Sequence, residues 1–115
     1  MSYDLLVWEG PRPGNAQHLR EALDKINERG ERDEKPDPPS PKIAEFVAAL
    51  LRRWPDIEEP DSPWSVSGTG YADGSILSVH IQWGREEEVS EFVAGLAQVF
   101  DLVCYDCQQG RGLRP

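Results

Sequence analysis

The residues best able to do chemistry in this chain are two cysteines, two histidines, two acidic runs and four tryptophans. Cys104 and Cys107 stand at C-x-x-C spacing. A redox pair at that spacing needs a thiolate at a helix N-terminus after a strand. Here the pair lies in or just past the apolar run Leu102-Val103-Cys104-Tyr105, and Gln108-Gln109-Gly110 does not open a helix. Positions i and i+3 of a strand point to opposite faces, so joint metal ligation would need a turn at Asp106. His18 and His80 do not supply zinc-finger spacing. The cysteines therefore read as structural, with no metal and no cofactor expected.

His80 sits on the polar parity of Ile76-Leu77-Ser78-Val79-His80-Ile81-Gln82-Trp83. A general base there needs a carboxylate or hydroxyl partner, and Asp106 or Asp4 on other strands could supply one. The competing reading is a partly exposed sheet histidine, and His18 reads as solvent-facing or interfacial. The chain contains no P-loop, G-x-G-x-x-G, G-x-S-x-G or H-E-x-x-H motif. Gly68-Thr69-Gly70 is too short for a phosphate cradle and reads as a hairpin turn.

The acidity is concentrated. Asp56, Glu58, Glu59 and Asp61 fall in one proline-punctuated loop, and Glu86, Glu87, Glu88 and Glu91 fall at the start of a helix. With 12 Lys plus Arg against 21 Asp plus Glu the net charge is −9, so these two runs carry most of it. The candidate binding residues are Asp56, Glu58, Glu59, Asp61, Trp64, Glu86, Glu87 and Glu88. Such runs either solvate a surface or attract a basic partner, whose arrival complementary charge accelerates. Trp8, Trp54, Trp64 and Trp83 sit at element ends, where tryptophan caps a core or anchors an interface.

Net negative charge without a clustered basic face argues against nucleic acid or an anionic membrane as partner. No run approaches the ~18 apolar residues of a membrane span. The N-terminus lacks a basic segment before an apolar one, so no secretory signal is expected and the expected location is cytoplasmic.

These residues must be positioned by seven elements. An apolar run on both parities over 3–8 predicts a strand covered on both faces or lying under a long loop. Leu19, Ala22, Leu23 and Ile26 predict a helix over 15–29, capped by Asn15 and stopped by Gly30. The charged, proline-rich stretch 30–39 predicts a surface loop. Ser40 and Pro41 open a second helix whose face is Ile43, Phe46, Val47, Leu50, Leu51 and Trp54, ended by Pro55. Residues 64–67 predict a short strand, Gly68 through Gly74 one or two turns, and 76–83 an alternating strand with Trp83 on the core side. Val89, Phe92, Val93, Leu96, Val99 and Phe100 predict a helix over 85–100, with Glu86, Glu87 and Glu88 in the first turn where the helix dipole favours them. Residues 102–105 predict the last strand.

The order β-α-α-β-β-α-β predicts a single α+β domain over 1–115. Its architecture is a two-layer sandwich, ferredoxin-like βαββαβ with an extra helix, on a four-stranded, mostly antiparallel sheet.

Met1-Ser2-Tyr3-Asp4-Leu5-Leu6-Val7-Trp8, Ser40-Pro41-Lys42-Ile43, Trp54-Pro55-Asp56, Asp61-Ser62-Pro63-Trp64 and Leu102-Val103-Cys104-Tyr105-Asp106 resemble a group of small uncharacterised bacterial proteins. These typically begin MSYDL-x-V-W and end near L-V-x-Y-D-P-Q. Cys107 departs from that pattern, standing where the group often has proline. Some small acidic proteins of this kind resemble immunity proteins of toxin systems. The group brings no established activity with it. The preferred reading, carried by the acidic loop 56–61, the acidic start of the last helix and an adjacent tryptophan, is a small cytoplasmic protein-binding module without catalytic activity, whose partner is a protein, in one version a basic toxin domain. The rival reading is a small-molecule binder or enzyme on the polar sheet face, using His80, Tyr105 and Asp106. A third is a homodimer joined through a sheet face or edge.

Overall fold

The computed structural model describes residues 2–31, 37–57, 59–66, 70–107 and 112–113. The apolar N-terminal run forms β1 (Ser2–Trp8), the middle strand of the sheet. β3 (Ile76–Gln82) lies on one side of it and β4 (Val103–Asp106) on the other. β2 (Gly70–Asp73) extends the sheet beyond β3 and the two-residue β5 (Gly112–Leu113) extends it beyond β4. The order is β2-β3-β1-β4-β5, and every pairing is antiparallel. With α1 (Ala16–Glu31), α2 (Pro41–Arg53) and α3 (Glu86–Val99), the chain is an α+β protein on an open antiparallel sheet.

Alternation sorts each strand between two faces. Register pairs Tyr3 with Ile81, Leu5 with Val79 and Val7 with Leu77, and all six are buried on one face. α2 and α3 cover that face. Ser40 caps α2, its hydroxyl accepting from the Ile43 amide at 3.2 Å, and Pro41 supplies the first helical residue. Trp54 leaves the helix in extended conformation, as a residue before proline must. Ile43, Phe46 and Leu50 are wholly enclosed, each burial stabilising by about 1.5–3 kcal/mol.

Several expectations are corrected. The strand at 64–67 reduces to a single bridge, Trp64 to Ile81. β2 itself starts at Gly70, opposite Val79. Residues 67–69 themselves, including Gly68 and Thr69, lie outside the described residues. The turns expected around Tyr71 are instead β2 and one two-residue hairpin loop. Its first central residue, Gly74, takes φ +59°, which glycine adopts without a Cβ penalty. Gly70 is required for a different reason: a Cβ there would lie 1.6 Å from the Ser78 carbonyl oxygen.

β3 ends at Gln82, so Trp83 falls in the following turn and is 44% exposed, not on the core face. Helix α1 runs past Gly30 to Glu31. In α3 the buried line is Val89, Val93, Ala94 and Ala97, which turns Val99 out to solvent. β5 adds a strand that was not expected.

The three helices also do not share one face. Trp8 pairs with Ile76 on the parity opposite the helix-covered core, and α1 stands beside these two residues with Ala22 and Ile26. Arg29 of α1 clamps Asp73 of β2 with two bonds of 2.8 and 2.9 Å and also pairs with Asp37. Those carboxylates hold the Arg29 guanidinium even more firmly protonated than usual. The apolar stripe of α1, Leu19, Ala22, Leu23 and Ile26, is only half-buried, so this helix is held partly by its ion pairs.

Candidate functional site

The loop after α2 carries Asp56, Glu59 and Asp61; Glu58 lies outside the described residues. Two turns fold the loop. The Glu59 amide donates to the Asp56 carbonyl at 2.9 Å, and the Ser62 amide to the Glu59 carbonyl at 3.1 Å. Trp64 then pins it. Its indole is 0% exposed, lies edge-on to Trp54 at 6.1 Å, and donates Nε1–H to the Trp54 carbonyl at 3.2 Å. Trp64 therefore cannot touch a partner as the sequence suggested. Its place is in the core, holding the acidic loop.

Glu86, Glu87 and Glu88 occupy the first turn of α3. Arg85, immediately before them, pairs its Nε with Glu88 at 2.6 Å and donates from Nη1 to the Asp61 carbonyl at 3.3 Å. One guanidinium thus ties the two acidic runs together. Trp83, two residues from Arg85, meets buried Tyr3 edge-on at 5.5 Å. Ile57 of the acidic loop is also exposed. Trp83 is the aromatic that sequence reasoning placed inside; Gly84, at φ +101° in the turn, was the available signal that the strand stops short.

The open face of the sheet holds a second cluster. His80 lies directly opposite Asp4 in the β1–β3 register. Its Nδ1 is 2.7 Å from Asp4 Oδ1 and its Nε2 is 3.0 Å from Ser78 Oγ. Tyr71, opposite Ser78 on β2, presents its ring edge-on to the imidazole at 5.5 Å. Of the two carboxylates considered for His80, Asp4 is the one in contact. Tyr105 shares the open face, being opposite Leu6. Asp106 does not: it is opposite Leu5, is buried, and accepts a hydrogen bond from the Tyr3 hydroxyl. His80, Tyr105 and Asp106 are therefore not brought together. Ser78 went unremarked as a partner although its spacing of two from His80 puts both on one face.

The cysteines diverge. Cys104 is buried on the core face and Cys107 is exposed beyond β4. Cys107 touches solvent, but its surroundings desolvate part of its thiol, and this, with the Asp4 and Asp106 carboxylates, pushes it up to about 11. That keeps it protonated at neutral pH and a poor nucleophile. Among the described residues no group of His, Cys, Asp or Glu could hold a metal ion, and no helix is long and apolar enough to cross a membrane.

A hollow of about 530 Å³ lies between α1 and the sheet end, floored by Trp8, Ile26 and Ile76 with His18, Arg12 and Lys25 at its wall. Compared with known proteins, the chain matches no family model, no curated protein and no solved structure.

Proposed function

We propose that this chain is a small protein-binding module that receives a basic partner on the acidic end of the molecule. The observation that carries this reading is the Arg85 link, which places Asp61 and Glu88 around one guanidinium and makes two acidic runs one surface. Trp83 and Ile57, exposed beside that surface, give it the apolar anchors that interfaces need at their centre. Carboxylates in this number attract a cationic partner over distance and set its orientation. An immunity protein that covers the active site of a basic toxin domain, in a bacterial cytoplasm, is the form of this function that the sequence resemblance favours. The same proposal takes the strand order β2-β3-β1-β4, with α2 and α3 on one face, as a ferredoxin-like core carrying α1 as its extra helix.

The test compares affinity capture from the native cell by the wild-type chain and by a Glu59→Lys, Asp61→Lys, Glu87→Lys variant, with mass spectrometry of the bound proteins. The expected result is a basic protein retained by the wild type, released by added salt and lost by the variant. Equal capture by both chains would remove the acidic end from the function.

A further inference from the structure

The cluster on the open sheet face has the order of a proton relay: carboxylate, imidazole, hydroxyl. An ionised Asp4 can only accept, which assigns the proton of a neutral His80 imidazole to Nδ1 and turns the Nε2 lone pair toward Ser78. At 3.0 Å, Nε2 then accepts from the Ser78 hydroxyl. A general base must stand within hydrogen-bond reach of the proton it takes, and its orientation must be fixed by a third group; both conditions are met here. The backbone makes this arrangement rigid. Ser78 and His80 are two residues apart on β3, and Asp4 is held opposite His80 by a seven-residue ladder.

We propose that Ser78 is a nucleophile, activated by His80 and positioned through it by Asp4, that accepts acyl groups from small aryl esters. This site is separate from the acidic end and does not rest on the function proposed for it. The substrate class follows from the surroundings. His80 is 19% exposed and Ser78 half-buried, so the acyl donor that reaches them must be small and reactive. Tyr71, 67% exposed and edge-on to His80, offers an aromatic surface to the aryl group.

In the first step Ser78 Oγ bonds to the ester carbonyl carbon while His80 Nε2 takes the hydroxyl proton. The carbon–oxygen bond to the aryloxide then breaks, and the proton passes from His80 to the leaving oxygen. In the second step water attacks the acyl-serine with His80 again taking the proton, releasing the carboxylic acid and restoring Ser78. Nothing is oxidised or reduced. The developing oxyanion is solvated by water on this open face. The expected acceleration is thus that of general-base assistance alone, about 10²–10⁴-fold.

The test treats the full-length protein with 4-nitrophenyl acetate, follows nitrophenolate release, and locates the acetyl group by peptide mass spectrometry. Acetyl on Ser78 is expected, absent from Ser78→Ala and reduced at least about tenfold in His80→Gln and in Asp4→Asn. Circular dichroism melting of each variant verifies that the fold persists. The proposal is overturned if Ser78 stays unmodified while lysines or Cys107 carry the acetyl group. It is equally overturned if Ser78 is acetylated at the same rate in His80→Gln as in the wild type.

Discussion

The two faces of the sheet are made from alternate residues of the same strands, yet different forces hold them. On the covered face Leu5, Val7, Val79 and Ile81 meet α2 and α3, and volume decides which side chain fits. On the open face Asp4, His80 and Ser78 are joined by hydrogen bonds, and hydrogen-bond geometry decides. A substitution on the first face is therefore read as lost stability, and one on the second as changed chemistry. Some side chains cross that division: Asp106 is a carboxylate on the covered face, and Trp8 and Val103 are apolar side chains buried on the other.

The largest expected effect separates the buried tryptophan beneath the acidic loop from the exposed one beside it. Trp64→Ala opens a cavity beneath the acidic loop and strips the Trp54 carbonyl of its indole donor. It should destabilise the fold by about 3–5 kcal/mol. Trp83→Ala removes a half-exposed ring whose contact with Tyr3 is one edge-on meeting, with an expected loss of about 1 kcal/mol. Urea unfolding of both variants checks this. Equal losses would mean that Trp83 belongs to the core and is no anchor for a partner.

What was legible in the sequence follows the range of the interactions. α2 could be read almost to the residue, because Ser40, Pro41 and the 43–46–50 spacing are signals within one helix. β1 and β3 were visible for the same reason. The strand at Gly70–Asp73 was not, since turn residues dominate it locally and its pairing is set by β3. The placement of α1 opposite α2 and α3 is held in part by Arg29 reaching Asp73, a contact between positions 44 apart that no local pattern encodes. The site divides likewise. Both acidic runs and His80 were legible as residue types. Their joining by Arg85, and the choice of Asp4 over Asp106 for His80, depend on loop docking and strand register. Asp4 and His80 lie 76 positions apart, so only the folded sheet brings them together.

A smaller effect tests the carboxylate that sits on the apolar face. Tyr3→Phe keeps the ring and removes only the hydroxyl that donates to buried Asp106. A buried acceptor that loses a partner costs about 1–3 kcal/mol. If the melting temperature of Tyr3→Phe equals that of the wild type, Asp106 is satisfied without Tyr3, and the covered face is held by packing alone. A drop, followed by partial recovery when Asp106→Asn is added, would show that this carboxylate is held by hydrogen bonding.

The smallest expected effect concerns Cys107, at the edge of the open face. Its thiol is raised from an ordinary value near 9 to about 11, by partial desolvation first and then by Asp4 and Asp106. The sign follows from proton counting. Between these values the folded chain holds the thiol proton while the unfolded chain has released it, so raising the pH favours unfolding. Stability contributed by the neutral thiol is thus full below about pH 9 and is lost as the pH rises toward 11. The loss should stay below about 1 kcal/mol, because Cys107 is exposed and solvent screens its neighbours. Urea midpoints of wild type and Cys107→Ser across this alkaline range should diverge, with the wild type falling faster. Removing the Asp4 charge by Asp4→Asn should remove part of that divergence and speed alkylation of Cys107 at neutral pH. Parallel curves for wild type and Cys107→Ser would mean that Asp4 acts on His80 without reaching the thiol, confining the electrostatics of the open face to the relay itself.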